Sequence, residues 1–198
     1  MKATMRILSV LAATFALSAC ASSMMKDEIV GRSDGLSSRP KWVSEEKTFT
    51  IEKDTVYMMG IHEMPVAGKR ITTGYRVAEN NAKAGLSGAI EQRLNFIFQN
   101  AEEGDEMGAD QARFIGGETS KLITSSIRPA NRYWEKVSRV VDADGKRDLI
   151  YRIYVRVSMP EADFKKAIEE AIKRNSGKKG ISADFAKKVE AHWDQMSE

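Results

Sequence analysis

Few side chains in this chain are equipped for chemistry. Its 198 residues include one cysteine, Cys20, and two histidines, His62 and His192, which lie far apart. A single thiol can neither close an intramolecular disulfide nor supply a CxxC metal or redox motif. Cys20 therefore acts alone. His62 precedes Glu63, but a zincin helix needs a second histidine four residues after the first, and that place is Val66, just after Pro65. The stretch Gly116-Gly117-Glu118-Thr119-Ser120-Lys121 lacks the GxxxxGK[ST] order of a phosphate loop and reads as a glycine kink among polar residues. Glu102-Glu103 and Glu169-Glu170 stand at charged helix ends, where paired carboxylates are solvated surface. The expectation is no catalytic constellation, no metal and no cofactor, although a single sequence can hide an active site built from dispersed residues.

The chemistry Cys20 can do follows from what precedes it. Lys2 and Arg6 are the only charges before an uncharged, mostly apolar run of 11 residues, Ile7 to Leu17, and Leu17-Ser18-Ala19-Cys20 closes the segment. These are the basic, hydrophobic and small-residue regions of a secretory signal. Eleven helical residues span about 17 Å, short of a hydrocarbon core about 30 Å thick, so the run is not a membrane span. Leu-Ser-Ala-Cys resembles the lipobox of bacterial lipoproteins at every position. That resemblance implies diacylglyceryl attachment to the Cys20 sulfur, cleavage between Ala19 and Cys20, and acylation of the new amine. The competing readings are an ordinary secretory signal with a coincidental cysteine, or a buried core cysteine. Ala21 and Ser22 follow in place of the Asp that, in enterobacterial-type sorting, retains lipoproteins in the inner membrane. The implied destination is the outer membrane, facing the periplasm or the surface.

Charge excludes one class of partner. Net charge is +3, of which Lys2 and Arg6 in the leader supply two, leaving +1 after cleavage. The 31 basic residues are interspersed with 28 acidic ones, unlike the basic patch of a nucleic-acid binder. Lys165, Lys166, Lys173, Arg174, Lys178 and Lys179 give the C-terminal region a basic cast, diluted by Glu161, Asp163, Glu169, Glu170 and Asp184 into a solvated face. One surface suits recognition: Tyr133, Trp134 and Tyr154 beside Arg152 and Arg156 combine stacking and anion contact, a candidate face for a small ligand, a cell-wall fragment or a partner.

These residues need elements to position them. Residues 1–19 read as the leader and 20–39 as a lipidated flexible tether rich in Ser, Gly and charge, with a short amphipathic helix near Met24 to Val30 as the alternative. Folded structure is expected over 40–174, starting at Pro40-Lys41-Trp42. Thr48 to Glu52 and Thr55 to Ile61 read as strands around a Lys53-Asp54 turn. Residues 70–101 take helical period, with small Ala78, Ala82, Gly85 and Ala89 along one side letting the helix lie close on a sheet. A weaker helical pattern from Ala112 to Ser126 carries Gly116-Gly117, each costing about 1 kcal/mol relative to alanine, which predicts a break. Tyr133 to Asp142 and Leu149 to Ser158 flank an Asp-Gly turn and form a hairpin. In its second strand Leu149, Tyr151, Ile153, Val155 and Val157 face the core, and Arg152, Tyr154 and Arg156 the opposite, polar side.

Ser158-Met159-Pro160-Glu161 matches a capping box opening a helix through Ile172. Residues 175–198 form a basic link and a last helix with Ile181, Phe185, Val189 and Trp193 at four-residue intervals, which either packs on the domain or docks elsewhere. The fold class is α+β, an antiparallel sheet packed on one side by helices in the order β-β-α-α-β-β-α-α.

Four loose motifs make the domain resemble the LPP-twenty family of small bacterial outer-membrane lipoproteins. They are Pro40-x-Trp42 after a tether, Tyr57-x-x-Gly60-Ile61 closing a strand, the alanine-spaced helix from Ala78, and Tyr151-x-Ile153-Tyr154-Val155-x-Val157. Together they cover about residues 40 to 172, and the extension 175–198 and the glycine-split helix depart from the pattern. The resemblance implies a compact α+β domain on a lipid tether, without established enzymatic activity, tied to the cell envelope. The lipobox together with the missing catalytic constellation gives the leading expectation, a non-enzymatic outer-membrane lipoprotein acting as a structural or assembly-accessory module, with an envelope protein or a second copy of itself as partner. The alternative is a binding module for a small ligand or cell-wall fragment.

Overall fold

Two turns dictate the antiparallel layout. Strands β2 (Phe49–Glu52) and β3 (Thr55–Pro65) are joined by Lys53 and Asp54 alone, both at positive φ (49° and 60°). That handedness matches the twist of paired strands in a two-residue hairpin. Strands β4 (Arg128–Val140) and β5 (Arg147–Pro160) are joined around Gly145 at φ 80°. There the Asp142 carboxylate accepts the N–H groups of Asp144 and Lys146 at 3.1 and 2.9 Å, and Val141 donates to the Lys146 carbonyl. Both hairpins stand where the sequence puts them, with shifted strand ends: β3 runs on past Ile61 to Pro65, β4 spans Arg128–Val140 in place of Tyr133 to Asp142, and β5 outruns the expected Leu149 to Ser158 at both ends.

The computed structural model describes residues 26–33, 35–67, 70–100, 109–178 and, singly, 181, 187, 189 and 191. Its elements run β1 (Glu28–Arg32), α1 (Lys41–Ser44), β2, β3, α2 (Ile71–Asn100), α3 (Ala109–Ile123), β4, β5 and α4 (Glu161–Asn175). The fold is α+β with a five-stranded antiparallel sheet in the order β1-β4-β5-β3-β2. The expected order β-β-α-α-β-β-α-α is therefore corrected: a strand and a short helix precede the first hairpin. The helix expected through Phe185 and Trp193 falls largely outside the described residues, within which Ile181 and Val189 are buried.

Strand β1 overturns the tether expectation for part of 20–39. Glu28 stands opposite Ser138 and Arg32 opposite Glu135 on β4, with a register shift between Ile29 and Gly31. Five residues with two adjacent apolar side chains and a glycine show no readable period. Main-chain pairing with β4 supplies the order that the side-chain pattern lacks.

By its internal contacts the chain forms two units. The first holds the described parts of Met1–Leu36, Glu63–Lys69 and Trp134–Arg152. Its interior is small: Met64, Val137 and Ile150 are buried together with Ser33 and Glu135. Trp134 packs edge-on against Tyr151, with centroids 5.4 Å apart.

The second unit holds Ser37–His62, Arg70–Tyr133 and the described parts of Ile153–Glu198, and it carries most of the core. Helix α2 contributes fully buried Ala78, Ala82, Leu86, Ile90 and Leu94, spaced at four-residue steps as expected. An added Cβ at Gly60 would stand 2.0 Å from the Ala78 carbonyl oxygen and 2.4 Å from the Ala82 nitrogen. The helix backbone thus rests directly on β3, and only glycine fits under it. Helix α3 continues through Gly116-Gly117, contrary to the predicted break. A Cβ at Gly116 would lie 2.9 Å from the Ser87 carbonyl, so the close helix-helix approach offsets the poor helix propensity of glycine. Helix α4 begins one residue after β5 ends, and the expected capping box is absent because Ser158 is still strand. Pro160 makes no side-chain cap; the Glu161 N–H donates instead to the Asp54 carbonyl of the β2–β3 turn at 2.8 Å.

Helices do not cover only one face. Met58 reaches toward Gly85 of α2, and its neighbour Met59, which must point the other way, is also buried. Met59 meets Val43, Tyr133 and Tyr154 in a second small core edged by Trp42.

Gly60→Ala is expected to lower stability by roughly 1–3 kcal/mol, since the overlap is with backbone. Gly88→Ala, also on α2 but with nothing within 4 Å, is expected to raise it by about 0.5–1 kcal/mol. Urea unfolding of the two variants reads both signs.

Candidate functional site

Cys20 and Ala19 lie outside the described residues, so the site built from side chains begins at Lys26 and Asp27, the first described residues. Side chains from β4 and β5 hold these two. Arg147 donates to the Lys26 carbonyl at 2.9 Å and to the Ser138 carbonyl and hydroxyl at 3.1 and 3.2 Å. The Val140 N–H donates to the Asp27 carboxylate at 3.2 Å, and the other Asp27 oxygen stands 3.5 Å from Arg152. Arg152 donates to Glu63 at 2.6 Å, and Arg139 reaches the second Glu63 oxygen at 3.0 Å. One carboxylate from β3 is thereby shared by an arginine from β4 and one from β5. Both arginines and Glu63 are partly exposed, so each pair contributes at most about 1 kcal/mol; their value is in fixing register. At the far end of β1 the Ser33 hydroxyl accepts the Trp134 N–H at 2.7 Å, and the Ser33 N–H donates to the Trp134 carbonyl at 3.0 Å.

The five residues expected to share a ligand face do not form one. Tyr133 is fully buried and Tyr154 is 5% exposed. Their rings lie 5.9 Å apart in the small core with Val43 and Met59, because Trp42 and Val43 of α1 pack over a face the strand alternation marks as polar. Trp134 belongs to the edge-on pair with Tyr151. Arg152 is committed to Glu63 and Asp27. Arg156 lies 3.6 Å over the Tyr57 ring and donates to Thr50 at 3.0 Å and to Glu52. The aromatic and arginine side chains are thus used within the protein.

Sequence reasoning missed Asp27, Glu63, Arg139 and Arg147 as a set. Their partners are separated by as many as 121 positions, so no local spacing announces them. The letters Gly31-x-Ser33-x-Gly35 also spell the pattern of a hydrolase nucleophile elbow. An elbow presents its serine on a sharp strand-to-helix turn. Ser33 instead is buried at the end of an edge strand with its hydroxyl on the Trp134 main chain. No group of three His, Cys, Asp or Glu side chains able to hold a metal ion occurs among the described residues.

Electrostatics add one titratable feature in the second unit. Partial burial pushes the Glu52 carboxyl up, but hydrogen bonds from Arg156 and Thr50, with the charges of Arg156 and Lys41, outweigh it and hold the group below its ordinary value of 4.5. Comparison with models of protein families, with curated proteins and with solved structures finds no match.

A carboxyl with a depressed folded value stabilises the protein above its unfolded value, and that contribution fades as pH falls through the folded one. Glu52→Gln is therefore expected to lower the Tm near neutral pH, with the gap from wild type closing below 4.5. Thermal melts between about pH 3 and pH 7 read this; a gap independent of pH contradicts the ion pair.

Proposed function

We propose that the protein is a lipid-anchored lipoprotein of the cell envelope, a non-enzymatic structural or assembly-accessory module of the outer membrane. The observation that carries this reading is Leu17-Ser18-Ala19-Cys20 set after an 11-residue apolar run and a basic start. Acyl chains suffice energetically, since each buried methylene contributes about 0.8 kcal/mol and a residue bearing more than one chain is held durably. The domain motifs that resemble the LPP-twenty family support the same reading, with an envelope protein or a second copy as partner. No helix among the described residues is long and apolar enough to cross a membrane; attachment in this proposal is by lipid on Cys20. The rival binding-module reading loses its surface, because Tyr133 and Tyr154 are core.

Mass spectrometry of the protein from native envelopes is expected to find a chain that starts at Cys20, with diacylglyceryl on sulfur and an acyl group on the amine. Cys20→Ala is expected to keep its leader and to carry neither the diacylglyceryl nor the amine-linked acyl group in the same measurement. An intact leader or a free thiol in the wild type would overturn the proposal.

A further inference from the structure

The place where β1 begins sets a short leash on the first unit. From Cys20 to Lys26 there are six Cα steps, which no conformation can stretch beyond about 22 Å. Lys26 is itself clamped by Arg147, and Asp27 by the main chain of Val140. The leash therefore ends beside the β4–β5 hairpin tip, where β4 finishes at Val140 and β5 starts at Arg147. If Cys20 carries the lipid, as proposed above, Lys26 and the hairpin end beside it are held within about 22 Å of the acylated sulfur.

The same end carries apolar side chains that the unit itself leaves in the open. Val141 is 41% and Leu149 48% exposed. Leu149 lines a shallow groove with Met64, Pro65 and Val66, and the Val66 N–H donates to the Leu149 carbonyl at 3.1 Å. Charge around the tip is balanced: Asp27, Glu63, Asp142, Asp144 and Asp148 stand against Lys26, Arg139, Lys146, Arg147 and Arg152. A balanced tip gives no net pull toward an anionic polymer or a strongly charged partner, whereas exposed Val and Leu among mixed charges suit the interfacial zone of a bilayer.

We propose that the hairpin end, through Val141, Leu149 and the adjoining Pro65-Val66, rests on the lipid interface to which Cys20 is anchored, orienting the first unit on the membrane. The proposal rests on lipidation of Cys20. The contact is apolar, so it persists in salt, where the screening length falls to about 3 Å at 1 M.

The test uses the full lipidated chain in zwitterionic phospholipid vesicles containing headgroup spin-labelled lipid. Cys20 is the only cysteine and its sulfur is acylated in the proposal, so a thiol-reactive fluorophore reports a single introduced site. Val141→Cys, Leu149→Cys and the control Leu36→Cys all replace exposed side chains. Leu36 follows the far end of β1, where its N–H meets the Ser33 carbonyl. Quenching at 141 and 149 is expected to exceed that at 36 several-fold, and to be unchanged in 1 M salt. Protein that floats with the vesicles but shows equal quenching at all three sites overturns the docking and leaves the anchor standing, as does excess quenching that vanishes in salt. Protein that does not float overturns both, since the leash then has no fixed end. Protection of 141 and 149 from a water-soluble quencher without lipid quenching identifies a protein partner or second copy there and likewise overturns the lipid contact.

Discussion

The pairing of Glu28–Arg32 with β4 is the constraint from which the account follows. It converts what composition suggests is a long tether into an integral strand, fixes Lys26 beside the β4–β5 tip, and limits how far the first unit can stand from Cys20. Side chains reinforce it at both ends: Arg147 and Asp27 clamp the start, and Ser33 exchanges hydrogen bonds with the Trp134 main chain at the finish. Each bond is individually weak and partly exposed. Their effect lies in choosing one register for a strand whose own side chains do not choose one.

Within the second unit the corresponding constraint is the contact between main chains at Gly60. Ala78 and Ala82 have side chains small enough for α2 to descend onto β3, and Gly60 removes the last Cβ between them. Gly116 does the same for α3 against α2. Glycines that weaken isolated helices and strands thus set the spacing between layers, and tertiary packing outweighs propensity.

Much of this was legible in the sequence, and the misses share a physical origin. The two hairpins were readable because Lys53-Asp54 and the Asp144-Gly145 turn act locally. Helix α2 was readable because its buried positions recur over many turns. What failed depended on distant partners. The β1 pairing depends on β4. Burial of Tyr133 and Tyr154 depends on Trp42 and Val43 folding over a face that alternation alone marks as polar. The continuity of α3 depends on Ser87, and the start of α4 depends on the Asp54 carbonyl in place of a Ser158 cap. The candidate ligand face failed for the same reason: Arg152 and Arg156 find carboxylates 89 and 104 positions away, which a reading by neighbourhood cannot see.

Native-state hydrogen exchange of the backbone amides from Glu28 to Ser33 tests the central claim most directly. Protection in this segment is expected, lost together with that of its β4 partners as denaturant is raised. Exchange there at the rate of an unstructured chain, while β4 stays protected, would contradict it: Lys26 would then be no fixed point beside the β4–β5 tip.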